Sequence, residues 1–277
     1  MKFPKTWRVN RPKDMKAMTK DKEKYPEIVL NLLEISDVIV EVLDARFPEE
    51  TRNREIENMI LKRKKRLIFA LNKSDLINKD KFIVPKDMKP FAFISSKKRE
   101  GSKILRDLIK REVKYRGEKF DRAQVGIIGY PNTGKSSLIN FLIGKSSAKT
   151  AYEAGFTKGL QKLRLSSKIL LMDTPGVIPS DKYSTQDKEK ISHHVIVGAR
   201  NYDKVKDPEF IVSELLKTHT KSISNYYKID FQDNVEILLE ELGKQRNFLL
   251  KKGIVDEDRT ARSILRDWQE GKIIPEL

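Results

Sequence analysis

The chain has no cysteine and only three histidines in 277 residues. Without thiols there is no disulfide framework and no cysteine-ligated zinc, and His193, His194 and His219 are the only imidazoles. The adjacent His193 and His194 have no carboxylate at ligand spacing and read as helix surface rather than a metal site. Long apolar runs are also missing. None approaches the roughly 18 residues that span a bilayer, and the N-terminus lacks a signal-peptide core. The expectation is a soluble, cytoplasmic protein with no membrane association. Acidic charge is in deficit: 57 Lys and Arg face 40 Asp and Glu, a formal charge of +17. Such an excess favours polyanionic partners. What is present is enough for a core, with 38% hydrophobic residues, and the length fits one domain of ordinary size plus appendages.

Short apolar runs alternate with amphipathic ones. Strands are predicted at 37–44, 67–71, 91–94, 125–128, 163–165 and 169–172, where β-branched and aliphatic residues cluster between turn residues. Helices are predicted from near Pro26 to Ile35, at 53–62, from Gly101 through Val113, and from Ser136 to Ile143 with Gly144 as the stop. This alternation implies an α/β fold with a doubly wound, mostly parallel sheet. Beyond about residue 207, Val235, Leu238, Leu239 and Leu242 follow helical spacing, as do Ala261, Ile264, Leu265 and Trp268. They predict two amphipathic helices in a small all-α C-terminal domain.

Two motifs stand at predicted strand ends, where ligands bind in such sheets. Gly129–Ser136 reads G-x-x-x-x-G-K-S. Its glycines let backbone N–H groups close round phosphates, Lys135 reaches the β and γ phosphates, and the Ser136 hydroxyl ligates Mg²⁺; Thr133, Gly134 and Ser137 complete the cradle. Asn72-Lys73-Ser74-Asp75 reads N-K-x-D. Asp75 can accept from the guanine N1 and N2 groups, Asn72 supports the other edge of the base, and the Lys73 stem can lie over the ring. A backbone N–H near Ser96, in Ser95-Ser96-Lys97, can donate to O6. A third element, Asp173-Thr-Pro-Gly176, follows the last strand. Asp173 would hold Mg²⁺ through water, and the Gly176 N–H would sense the γ phosphate. GTP or GDP with Mg²⁺ is the expected ligand. The order is inverted, because the guanine-reading motif precedes the phosphate loop.

That order resembles the circularly permuted GTPases of the YlqF/YawG class, which act in ribosome assembly. The resemblance extends to Asp44-Ala-Arg-Phe-Pro48 with Arg52-Asn53, similar to the family's D-A-R-x-P stretch. It also takes in Ala148–Gly159, similar to its switch segment, and Ala261–Ile273, similar to the tail of archaeal and nucleolar members. It implies that Thr157 supplies a second Mg²⁺ hydroxyl and that Asn132 helps coordinate K⁺. It also implies slow intrinsic hydrolysis. Where other GTPases hold a water-orienting Gln, Val177 and Ile178 stand here, as in the family. Bacterial members resemble one another in a His within an N-terminal P-G-H-M stretch, and the nearest match is Pro12-Lys13-Asp14-Met15. Asp14, K⁺ or a bound ribonucleoprotein would then supply the missing catalytic group.

Three parts are expected: a basic arm at 1–24, with nine Lys or Arg against three acids, a permuted G domain at 25–206, and a helical RNA-binding domain at 207–277. On the last helix Arg259, Arg262 and Arg266 fall opposite the apolar stripe, with no acid expected among them. They form a candidate contact for ribosomal RNA or a ribosomal subunit precursor. Lys62–Arg66 reads equally as a solvated turn or a contact. The chain is expected to be a monomer away from the ribosome. The competing reading is a regulatory GTPase whose target is a protein or a membrane surface.

Overall fold

The computed structural model describes residues 27–114, 122–144, 161–174, 176, 178 and 186–275. Six strands form one sheet in the order β3-β2-β1-β4-β6-β5: β1 Val38–Asp44, β2 Arg66–Asn72, β3 Phe91–Phe93, β4 Ala123–Ile128, β5 Gln161–Ser166 and β6 Ile169–Asp173. All pairings are parallel except β5 with β6, a hairpin closed at 167–168 on the sheet edge. A two-residue connection can only reverse the chain, because a parallel pairing needs a crossover.

Helices cover both faces. Side chains alternate along each strand, so Val38, Val40, Val42, Val125 and Ile127 point to a core shared with α3 (Ser102–Lys114) and α4 (Lys135–Ile143). Ile39, Ile128 and Met172 point the other way, into a core with α1 (Glu27–Ile35) and α2 (Arg54–Lys62). Central strand β1 is buried along its whole length, including Glu41. That carboxyl accepts from Asn53 N–H at 2.8 Å. Burial, then repulsion from Glu57, pushes it above the usual carboxylate range.

Four more helices follow among the described residues: α5 Lys188–Ile196, α6 Pro208–Tyr227, α7 Val235–Gln245 and α8 Glu257–Gln269. The last two are the predicted amphipathic pair, and Asn234 and Asp256 cap them. Their shared apolar core takes in Val195, Val197, Ala199 and Val205 as well as residues 211–273, so packing is continuous across position 207. Phe47 and Tyr130, from loops at the sheet, join the same core. No helix among the described residues is long and apolar enough to cross a membrane.

Several surface expectations change. Arg262 is not a free contact. Its guanidinium donates to the carbonyls of Tyr202, Asp203 and Val205 at 3.1, 3.3 and 3.0 Å. It also pairs with Asp258, an acid one turn earlier on the same face, at 2.6 Å. Arg259 lies over Phe248, 4.3 Å from the ring centroid. In the Lys62–Arg66 run, Lys65 donates to the carbonyls of Glu34 and Ser36, closing the end of α1. His193 is exposed as expected, but His194 is buried. Among the described residues no cluster of His, Asp or Glu could hold a metal ion. The basic arm and Asp14 lie outside the described residues.

Candidate functional site

The carboxyl ends of β1, β2, β3, β4 and β6 lie along one edge, and each delivers a singled-out segment there. Register makes this concrete: Asp44 pairs with Asn72, and Ile127 with Asp173. Asn72 is the point at which the separated motifs meet. Its amide nitrogen donates to Thr133 O at 2.9 Å, inside the phosphate loop. Its amide oxygen accepts from Ser96 N–H at 3.2 Å and Ser96 Oγ at 3.0 Å. One buried side chain thus ties the guanine-reading loop, the Ser95–Lys97 loop and the phosphate loop together. The Ser96 N–H is held by Asn72 within the loop expected to donate to O6.

Asp75 accepts from Ser95 Oγ at 2.6 Å, which holds its carboxylate at this strand edge. Ser95 Oγ in turn accepts from Lys98 N–H at 3.0 Å. The intervening residues curl tightly: Lys73 is left-handed (φ 60°), and Ser74 begins a 3₁₀ turn to Leu76. Ser74 is buried, with its N–H on Ile94 O at 3.0 Å. Lys73 does not hang free, because its Nζ lies 2.8 Å from Asp44.

The phosphate loop is built on two tight backbone approaches. Gly134 has φ 93°, and a Cβ there would lie 2.2 Å from the Asn72 amide. Gly176 rests against Pro131 and Lys135, where a Cβ would come within 2.7–2.8 Å. Lys135 is buried and donates to Tyr130 O at 2.7 Å. Burial pushes its ammonium down to about 8, while nearby Asp173 partly opposes the shift. Asp173 moves the other way, raised by burial against the pull of Lys135 and the Thr174 N–H. One Asp173 oxygen is buried without a hydrogen-bond partner. A buried carboxylate oxygen with no protein partner suits a hydrated cation, and exposed Ser136 stands at the start of α4. The donor set fits a hydrated Mg²⁺ beside a phosphate. Thr157 and Val177 lie outside the described residues; Ile178 packs on the helical core.

Asn132, also left-handed (φ 60°), donates from Nδ2 to Gly198 O at 2.9 Å. The tail motif singled out in the sequence is likewise a set of ties. Asp267, nearly fully buried, accepts from Tyr227 OH, Arg246 and Lys272. Trp268 Nε1 donates to Ile196 O at 2.8 Å, and Gln269 Nε2 to Val195 O and Arg200 O, both at 2.8 Å. Sequence reading marked the Asp44–Pro48 stretch but gave Asp44 and Arg46 no role, and it missed the Leu76–Gly271 contact. Asp44 carried a signal of its own, an acid at the carboxyl end of a buried strand.

Comparison with known proteins gives a GTP-binding family and its fold. Residues 124–239 match a family described as 50S ribosome-binding GTPase. The match begins at β4 and leaves Asn72–Asp75 outside, as an inverted motif order requires. An uncharacterized GTP-binding protein of Methanocaldococcus jannaschii is 42% identical over 94% of this chain and 68% of its own length. Nucleolar GTP-binding protein 2 of Pneumocystis carinii is 36% identical over 87% of this chain and 51% of its own. The chain thus spans about two thirds of the archaeal relative and about half of the nucleolar one. GNP-bound YlqF from T. maritima superposes with a TM-score of 0.61 at 25% identity, covering 93% of this chain and 94% of that one. A GDP-bound YlqF structure gives 0.63 at 24% identity, covering 89% and 95%, a likeness of fold. The chain belongs to the circularly permuted GTPases of the YlqF/YawG class.

Proposed function

We propose that the chain is a GTP-hydrolysing switch that binds ribosomal RNA or a pre-ribosomal particle and assists assembly of the large ribosomal subunit. The observation that carries the nucleotide part is the Asn72–Thr133 hydrogen bond, which brings the base-reading and phosphate-binding motifs to one strand edge. Asp75 reads guanine, the Gly129–Ser137 loop with Lys135 holds the phosphates, and Ser136 with Asp173, through water, holds Mg²⁺. Thr157 and Gly176 are the segments that GTP orders and hydrolysis relaxes. Asn132 has its nitrogen on Gly198, and its oxygen is the atom with which it would face K⁺.

The ribosomal part draws on the +17 charge, the family description and the nucleolar relatives. It assigns 1–24 as a basic arm, 25–206 as the G domain and 207–277 as the helical domain that docks on RNA. With Arg262 committed to backbone carbonyls, Arg259 and Arg266 remain on the expected face. Co-sedimentation with large ribosomal subunits tests this reading. Retention with a non-hydrolysable GTP analogue and release with GDP is the expected result. Association should weaken steeply with salt, since each phosphate contact contributes a slope of about 0.7–0.9 in log K against log salt. Equal, salt-independent binding in both nucleotide states rejects it in favour of a protein target.

A further inference from the structure

The D-A-R-F segment after β1 is not part of the nucleotide cradle, yet it sends three side chains to three places. Asp44, fully buried, accepts from Lys73 Nζ at 2.8 Å. It also takes a two-pronged contact from Arg46, Nε at 3.1 Å and Nη2 at 2.8 Å. Arg46 has one nitrogen left. Its Nη1 donates to Trp268 O at 2.9 Å, a carbonyl in the last turn of α8. That carbonyl also accepts from Gly271 N–H at 3.0 Å, and a cation there meets the negative end of the helix dipole. Phe47 then enters the helical core, with its ring 5.8 Å from Trp268 and 6.4 Å from His219.

A second strut runs beside the first. Gly271, left-handed (φ 74°) just past α8, presses on Leu76 at the end of the N-K-S-D-L turn. A Cβ there would lie 2.4 Å from the Leu76 side chain. The chain between Lys73 and α8 is therefore an ion pair, a rigid guanidinium fork and a close apolar contact. An ordinary structural ion pair would satisfy Asp44 with Arg46 alone. Here the same carboxylate also holds the lysine of the base-reading loop, and the same arginine closes the far helix.

From this geometry we infer that Asp44 and Arg46 are positioning residues that couple guanine occupancy to the docking of α8. A base seated on Asp75 fixes the Lys73–Leu76 turn, and Asp44–Arg46 and Leu76–Gly271 pass that restraint to the end of α8. Linkage is reciprocal, so a partner that shifts α8 changes nucleotide affinity by the same factor. The inference rests on reading Asn72–Asp75 as the guanine site.

Hydrogen exchange of the whole chain, read on peptides covering 194–201 and 263–273, tests it. In the wild type, saturating GDP should slow exchange there by about five- to tenfold, and ADP should not. In Arg46→Lys the amine keeps Asp44 paired but cannot also reach Trp268 O. GDP should then bind more weakly, and the slowing at 263–273 should shrink to what the Leu76–Gly271 contact alone carries, while protection of the phosphate loop remains. Leu76→Ala removes the second strut without touching the ion pairs, and gives an independent reading if Arg46→Lys does not fold. A wild type that binds no GDP overturns the site reading and this inference with it. GDP binding that leaves 263–273 unchanged overturns the coupling alone, as does an Arg46→Lys protein whose GDP response equals the wild type's.

Discussion

Asn72 and Asp75 divide one task. Asn72 spends one amide N–H and its oxygen on the protein, joining three loops, whereas Asp75 spends one oxygen on Ser95 and keeps the rest for the base. Asp75→Asn should therefore leave the fold intact and cut GDP affinity. Hydrogen bonds to a charged group are worth about 1.5–3 kcal/mol each, so losing two costs roughly 10²–10⁴-fold. Xanthine nucleotides, with a carbonyl in place of the guanine amino group, should recover much of it in a competition assay; unchanged GDP affinity assigns the base elsewhere. Lys135 gives a pH prediction. Its folded value, about 8, lies below its unfolded one. The unfolded chain thus binds more protons between the two, and the ligand-free protein gains stability as pH rises through that window. Below about 8 the full cost of burying the ammonium is present. A phosphate favours the charged form, so GTP binding should take up a proton and weaken above pH 8. Calorimetry in two buffers of different ionisation heat reads this, and Lys135→Arg should abolish it. These motif residues were legible because each type has one job at one spacing. Asp44–Lys73 was not, since an ion pair between two loops leaves no spacing in the chain.

At the scale of elements, the sheet was legible nearly strand by strand, because short β-branched runs between turn residues have few other uses. Helix α6 went unread although it is the longest described helix. Its apolar stripe, Ile211, Val212, Leu215 and Leu216, lapses into Lys217-Thr-His-Thr-Lys-Ser222, and the helix departs from helical dihedrals at His219. The start was nonetheless written in Asp207-Pro208-Glu209, a cap followed by proline at the first helical position. On α8 the period was read correctly but its polar face was not. Helical spacing says which side chains point away from the core, and cannot say that a 3₁₀ turn at 202–204 covers them. Arg262 sits under that turn. Removing it leaves three carbonyls without their donor, so Arg262→Ala should destabilise the chain by about 1–3 kcal/mol, read as a lower urea midpoint at unchanged m. If it instead weakens RNA association at constant stability, the arginine face is a contact after all.

For the whole molecule, the permutation decides which segment the switch leads into. Cutting the fold so that the guanine-reading loop comes first leaves Asp173–Gly176 close in sequence to α5–α8, and Ile178 already packs on the helical core. The coupling is not only this covalent path. Asn132–Gly198 ties the phosphate loop to the turn after α5, and Lys73–Asp44–Arg46–Trp268 links the base loop to α8. The helical layer thus touches the nucleotide site from the phosphate side and the base side at once, while no side chain that could orient water occupies position 178. A site so arranged is better built to hold a state than to end it. Hydrolysis by the isolated chain should accordingly be slow, and faster with K⁺ than with Na⁺ or in the presence of large ribosomal subunits. Phosphate release measured in KCl and NaCl, with and without subunits, separates the sources of the missing group. Acceleration by subunits in NaCl places it on the particle, whereas acceleration by K⁺ alone places it at Asn132. Fast turnover by the isolated chain in NaCl requires a group of its own, for which Asp14→Asn is the first variant to measure.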